Sequence, residues 1–311
     1  MVQARNDFVI RKWTFFIVLI TLFLAGCSTQ GKENEPVILP HIHGIGYTSD
    51  GQQIYIPAHD GLKMFSQGTW DEVPGDKHDY MGFAMVDGGF YSSGHPSLDS
   101  DLKNPLGIVK STDEGQTLEH LDLYGEIDFH LLSASYMSNS IYVFNPEPNV
   151  RLETIGLYYT QDEAENWMQS EMNGLTEEPI ALAVHPSDDA IVAVGTEEAL
   201  YVSSDYGNQF EKIADIPVTA ISYSLDGQLY VGSYQEDEGV IFKMLSGNAL
   251  EEELNIPDLI EEAPSYIAIS PIDAKELVFT TFSRDVYLSK DQGATWMKIA
   301  NQGQPLNHPS E

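Results

Sequence analysis

The sequence predicts an all-β protein, a six-bladed β-propeller. Three observations lead there: a turn motif recurring every 40 to 50 residues, short alternating strands between its copies, and about 275 residues of chain behind an export-type leader. The clearest copy of the motif is Ser289-Lys290-Asp291-Gln292-Gly293-Ala294-Thr295-Trp296. Versions of it occur as Ser111-x-Asp113-x-Gly115-x-Thr117-Leu118, Thr160-x-Asp162-x-Ala164-x-Asn166-Trp167 and Ser203-x-Asp205-x-Gly207-x-Gln209-Phe210. The aspartates lie 49, 43 and 86 residues apart, and since 86 is twice 43, one copy has decayed. Remnants at Ser246-Gly247-Asn248 and Ser66-Gln67-Gly68-Thr69-Trp70 bring the number of repeats to six.

Each part of the motif has a physical task. The Asp side chain accepts hydrogen bonds from backbone N–H groups ahead of it, the Gly supplies a positive φ, and the aromatic residue plugs the seam beside the turn. The motif therefore staples a hairpin. A four-stranded unit of this length cannot bury its own apolar faces, so the units stack into a ring.

Alternation and turn residues set the blades in order. Blade one runs from His41 to Pro74, with strands near 44–47, 53–56, 62–65 and 69–73. Blade two spans Asp79 to Leu123 with a long insertion from Gly94 to Pro105, and blade three covers Asp128 to Met172. Blade four spans Pro179 to Ala214, blade five Pro217 to Leu254 and blade six Ser265 to Ala300. The propeller is thus expected over residues 39–301, with Val37-Ile38 able to add an edge strand to blade six and residues 302–311 forming a disordered tail.

Residues 1–26 read as an export signal, with Arg5, Arg11 and Lys12 ahead of an apolar run from Trp13 to Leu24 that is short for a membrane span. The following Leu24-Ala25-Gly26-Cys27 resembles a bacterial lipobox, which implies that Cys27, the single cysteine, carries a lipid. Residues 27–38 then form a polar tether, and the protein is expected at the extracytoplasmic face of the cell membrane. Without the signal the chain has 12 basic against 47 acidic residues, a formal charge of −35. That balance argues against nucleic acid and anionic membrane surfaces as partners and fits a solvated acidic exterior.

In a propeller the loops divide between two faces. The repeated turns join the third and fourth strands of their blades and mark one face as structural. Six of the nine histidines map to the other face, all on blades one to three: His41, His43, His59, His78, His95 and His130. His120, His185 and His308 fall elsewhere, and His185 belongs to a structural turn. Of the six, His43, His59, His95 and His130 are the candidate metal ligands, with Asp60, Asp79 and Asp128 to join or orient them. Imidazole and carboxylate together suit a transition metal, Zn or Cu, or acid–base work. Gly44, Gly61, Gly82, Gly94 and Gly125 fit a backbone that turns closely around a pocket, and the Gly94 to Pro105 loop reads as a lid or a surface decoration.

The recurring turn resembles the Asp-box, or BNR, repeat of the sialidase and sortilin superfamily, with Asp113, Asp162, Asp205 and Asp291 as its structural aspartates. The segments His41-Ile42-His43-Gly44, Ala58-His59-Asp60-Gly61-Leu62, Asp79-Tyr80-Met81-Gly82-Phe83, Ser93-Gly94-His95-Pro96 and Asn104-Pro105-Leu106-Gly107 resemble a group of exported bacterial propellers labelled glycosylhydrolase-like or sortilin-like. Sialidases hold the substrate carboxylate with three arginines, and behind the signal this chain has only Arg151 and Arg284. A sialidase is therefore excluded, and enzyme activity is left open. Three functions are compatible with the residues: binding of a metal or small polar ligand at the His/Asp face, non-sialidase glycoside hydrolysis by a pair among Asp60, Asp79, Glu126 and Asp128, and assembly with a protein partner.

Overall fold

Apolar residues alternating in short runs, broken by Gly, Asp and Asn, give 25 β-strands and no helix among the described residues. The computed structural model describes residues 37–138, 140–244, 250 and 252–308. The export signal, Cys27, the first part of the tether and the remnant at Ser246-Gly247-Asn248 lie outside the described residues.

Six sequential antiparallel meanders form the six blades. Blade one holds β1 (Gly46–Tyr47), β2 (Gln53–Ala58), β3 (Gly61–Ser66) and β4 (Thr69–Glu72). Blade two holds β5 (Asp79–Val86), β6 (Gly89–His95), β7 (Ile108–Ser111) and β8 (Glu119–Asp122). Blade three holds β9 (Leu132–Ala134), β10 (Ile141–Asn145), β11 (Gly156–Thr160) and β12 (Met168–Gln169). Blade four holds β13 (Ala181–Val184), β14 (Val192–Gly195), β15 (Leu200–Ser203) and β16 (Glu211–Ala214). Blade five holds β17 (Val218–Tyr223), β18 (Leu229–Gln235), β19 (Glu238–Met244) and β20 (Glu252–Glu253). Blade six holds β21 (Pro264–Ile269), β22 (Leu277–Thr281), β23 (Val286–Ser289), β24 (Met297–Asn301) and β25 (Gln304–Pro305).

Burial follows position along the blade. Second strands are covered on both faces, so β14 and β22 are buried throughout. The outermost β12 and β20 are exposed. The core is correspondingly divided among the blade interfaces. One apolar cluster joins blade six to blade one through Ile54, Ile56 and Phe65 against Val278, Val286 and Leu288. Another packs Tyr55 and Leu62 of blade one on Tyr80 and Phe90 of blade two. Four further clusters fill the remaining interfaces.

The ring closes without exchange of strands. Residues 302–308 do not form the unpatterned tail expected of them: β25 pairs with β24, and the His308 amide donates to Gly68 O at 2.6 Å. The N-terminal segment adds a single backbone bond from Leu39 N to Gly303 O, 2.8 Å, instead of an edge strand. Arg284 reaches Pro40 O at 2.8 Å, and the Trp70 indole donates to Ile299 O at 2.8 Å. This pairing uses backbone groups, which leave no side-chain period in the sequence.

The repeated turns share one geometry. In the blade-six turn Asp291 Oδ1 accepts from the Thr295 amide at 2.8 Å, and Oδ2 accepts from the Thr295 hydroxyl at 2.6 Å. Ser289 Oγ accepts from the Gly293 amide at 2.8 Å. The Ser or Thr bond to the amide and the Asp Oδ1 bond recur in the turns that begin at Ser111, Thr160 and Ser203, whereas in the last of these the Gln209 side chain turns to Asn173 O instead of to the aspartate. Two successive residues in each turn are left-handed, Gln292 at φ 61° and Gly293 at φ 85° in blade six. The tryptophans reach back to the preceding blade or connection: Trp167 Nε1 donates to Asp122 Oδ2 at 2.9 Å, and Trp296 Nε1 to Asn255 O at 2.8 Å.

Ser289 is 1 % exposed, so Ser289→Ala strands a buried amide and is expected to cost about 2 kcal/mol in urea unfolding. Ser289→Thr is expected to be nearly neutral, because Thr160 holds the same place in blade three. Equal stability of the Ala variant and the parent would remove this turn from the determinants of the fold.

Candidate metal centre

The face opposite the repeated turns collects imidazoles because two strand starts and one tight turn deliver them to one spot. His41 and His43 flank Ile42 in an extended segment running into β1, where the His43 amide donates to Pro57 O at 3.1 Å. Residues two apart in extended chain point the same way. Ile42 accordingly enters the blade-six/blade-one core, and both histidines turn to the mouth of the central channel. His59 stands in the two-residue connection between β2 and β3, whose ends pair as Ala58 with Gly61. Asp79 opens β5.

The group is close. His43 Nε2 lies 3.4 Å from His41 Nδ1 and 3.4 Å from His59 Nδ1. Asp79 Oδ2 lies 2.7 Å from His59 Nδ1, and Asp79 Oδ1 stands 3.6 Å from His43 Nε2. That Oδ1 is buried and has no hydrogen-bond partner. The His41 and His59 rings stack at 4.8 Å with their planes 4° apart. Burial pushes the His43 imidazole down from 6.5 to about 4, His59, His41 and His130 act in the same direction, and Asp79 opposes them. At neutral pH His43 is therefore uncharged, the form that binds a metal.

These separations fit a metal better than a chain of hydrogen bonds. Zinc-to-nitrogen bonds of about 2.0–2.1 Å imply a tetrahedral edge of about 3.3 Å, close to the two 3.4 Å separations. One ligand atom from each histidine lies within 4.8 Å of the others, and the exposed His41 and His59 are free to close the widest gap.

The four imidazoles expected as one ligand set divide into two groups. His43 and His59 join His41, which the sequence placed on this face but not among the ligands. His95 and His130 instead flank Asp128, with His130 Nε2 at 3.0 Å and His95 Nε2 at 3.4 Å from its Oδ2. Asp60 does not serve either group: it pairs at 3.0 Å with Lys63, which is buried on β3 and also holds Glu72 at 3.0 Å. Glu126 is exposed and its backbone closes a turn on Leu123, while Asp79 and Asp128 are both engaged by imidazoles. His78 is buried and accepts from the Ser97 amide at 3.0 Å, a structural role. His185 caps its own turn, accepting from the Asp188 amide at 3.2 Å, as the sequence indicated.

Two residues escaped the sequence reading. The His41-x-His43 spacing in extended chain was the available signal for His41. Asn104 enters from the long blade-two insertion, its Oδ1 lying 2.7 Å from His95 Nδ1. The insertion is pinned where it returns, by Leu106 N to Gly94 O at 2.8 Å and Gly125 N to Pro105 O at 2.9 Å, and so frames the site. Below the mouth a central cavity of about 570 Å³ is lined by His41, His43, His130, Phe282 and Arg284 among others.

Fold and site together define a six-bladed propeller with an imidazole-rich mouth. No protein-family model matches the sequence, and no curated protein matches it. Solved structures do match in fold. A Niastella koreensis GH74 enzyme superposes with a TM-score of 0.59 at 15 % identity, over 85 % of this chain and 46 % of that one. YCF48 bound to D1 peptide gives 0.51 at 15 % identity, over 88 % of each chain. The extracellular domain of the putative hybrid two component system BT4673 from B. thetaiotaomicron gives 0.54 at 14 % identity, over 89 % of this chain and 35 % of that one. This chain thus spans under half the length of the GH74 enzyme. At such identities the likeness concerns the fold alone.

Proposed function

We propose that the protein is an exported, lipid-anchored propeller of the Asp-box repeat type that binds a divalent transition metal ion, Zn(II) or Cu(II), through His41, His43, His59 and Asp79. One observation carries this reading: three imidazole nitrogens gathered within 4.8 Å beside the buried, unpartnered Asp79 Oδ1. Three nitrogens and one carboxylate oxygen match the donor preference of these ions over calcium or magnesium, which take oxygen ligands. The charged n-region, the apolar run and Leu24-Ala25-Gly26-Cys27 support export and lipidation. The recurring hydrogen-bonded turns around Asp113, Asp162, Asp205 and Asp291 support the repeat type.

The test uses full-length protein in detergent, dialysed against zinc or copper and analysed for bound metal. Parent protein is expected to retain the ion, and His41→Ala/His59→Ala to lose at least about 100-fold in affinity. Asp60→Asn is expected to bind as the parent does, because that carboxylate is committed to Lys63. Parent protein that retains neither ion would end the metal reading. Cys27→Ser is expected to move the protein from the membrane to the soluble fraction, and unchanged membrane association would end the lipid-anchor reading.

A further inference from the structure

We propose that the mouth holds a second divalent-metal position, formed by His95 Nε2, His130 Nε2 and Asp128 Oδ2, and so binds two ions. It uses none of the ligands of the first group. Its geometry is built by a short rigid segment. Phe129 is fully buried, its amide donates to Ser93 Oγ at 2.8 Å, and its carbonyl accepts from Gly82 N at 2.9 Å. With Phe129 fixed, Asp128 and His130 emerge on the same side, two residues apart in extended chain. His95 ends β6 and comes to the same carboxylate from the neighbouring blade.

The placement of His95 is the main argument. Asn104 Oδ1 lies 2.7 Å from its Nδ1 and holds that edge of the ring. The other nitrogen, Nε2, faces Asp128 Oδ2 at 3.4 Å, and the same oxygen stands 3.0 Å from His130 Nε2. A cation at this shared oxygen would take both imidazoles and the carboxylate as ligands. Metal-bound histidines are held in this way, the far ring nitrogen donating to an oxygen of the surrounding protein.

The two groups are neighbours. Asp79 of the first pairs directly with His95 of the second across the β5–β6 ladder. His130 shares the wall of the central cavity with His41 and His43. The second set offers two nitrogens and one oxygen, with His95 38 % and His130 67 % exposed, so water completes its coordination. It should therefore bind at least about 10-fold more weakly than the first.

Zinc alone serves as the probe. Full-length protein in detergent is titrated calorimetrically with Zn(II), and bound zinc is measured after equilibrium dialysis at rising concentration. The expected result is two equivalents taken up in two steps. His95→Ala/His130→Ala should lose only the weaker step, and His41→Ala/His59→Ala only the tighter. Both second-site histidines are substantially exposed, so the variant should fold, and an unchanged melting temperature in EDTA verifies it. A parent that saturates at one equivalent, lost in His41→Ala/His59→Ala, overturns the second position and leaves the first standing. One equivalent lost only in His95→Ala/His130→Ala supports the second position and removes the first. Two equivalents retained by His95→Ala/His130→Ala, or none in the parent, overturn it.

Discussion

Gly94→Ala is expected to destabilise the protein by about 3–5 kcal/mol and to abolish metal uptake at the mouth. Gly94 has φ +133°, and a Cβ built on it would stand 2.0 Å from the Asp79 carbonyl oxygen and 2.9 Å from the Met81 amide nitrogen. Both are backbone atoms of β5, so no side chain can rotate away. Relief requires the start of β5 to move off β6, and that start carries Asp79, with His95 opposite it. One methyl group would thus open the ladder that holds the first group's carboxylate beside the second group's imidazole. Gly88→Ala is the control. Gly88 also has a positive φ, +93°, but a Cβ there meets nothing within 4 Å, so its cost is conformational only, about 1–2 kcal/mol. Urea unfolding of the two variants separates clash from backbone preference. Equal losses would refute the claim that close approach at Gly94 positions the site.

The contrast between what the sequence announces and what it conceals runs along a physical line. Blades are visible because each is a local meander whose turns carry their own chemistry; the side chains of Ser289 and Asp291 bond within the turn, to each other, to the Gly293 amide and to Thr295. The functional face is visible too, since topology alone assigns His41, His59, His95 and His130 to one set of loops. How those imidazoles group is decided by partners distant in sequence. Asp60 is adjacent to His59 yet turns to Lys63, a lysine fully buried in a strand that otherwise reads as apolar alternation. Asp79, twenty positions on, takes His59 instead at 2.7 Å. Asn104 reaches His95 from an insertion whose path is set by backbone bonds to Gly94 and Gly125. None of these choices leaves a period or spacing in the chain.

Metal-free protein is expected to lose about 3 kcal/mol of stability between pH 7 and pH 4 on account of His43 alone. Its imidazole titrates at about 4 in the folded chain against 6.5 when free, chiefly because burial disfavours the charged ring. Between those two values the unfolded chain holds a proton that the folded chain refuses, so acid favours unfolding throughout the window. The contribution is fully present above 6.5, falls as pH drops, and is exhausted near 4. A gap of about 2.5 units at about 1.4 kcal/mol each gives the stated size. Burial sets the sign; of the groups facing the ring, Asp79 favours the proton, while His59, His41 and His130 oppose it. The other acidic groups contribute their own pH dependence, so the measurement is a difference. Urea unfolding in EDTA across this range should show a shallower loss for His43→Gln than for the parent, by about 3 kcal/mol at the acid end. Parallel curves would mean that His43 takes up its proton without resistance, and that the mouth does not keep this imidazole neutral and ready for a metal.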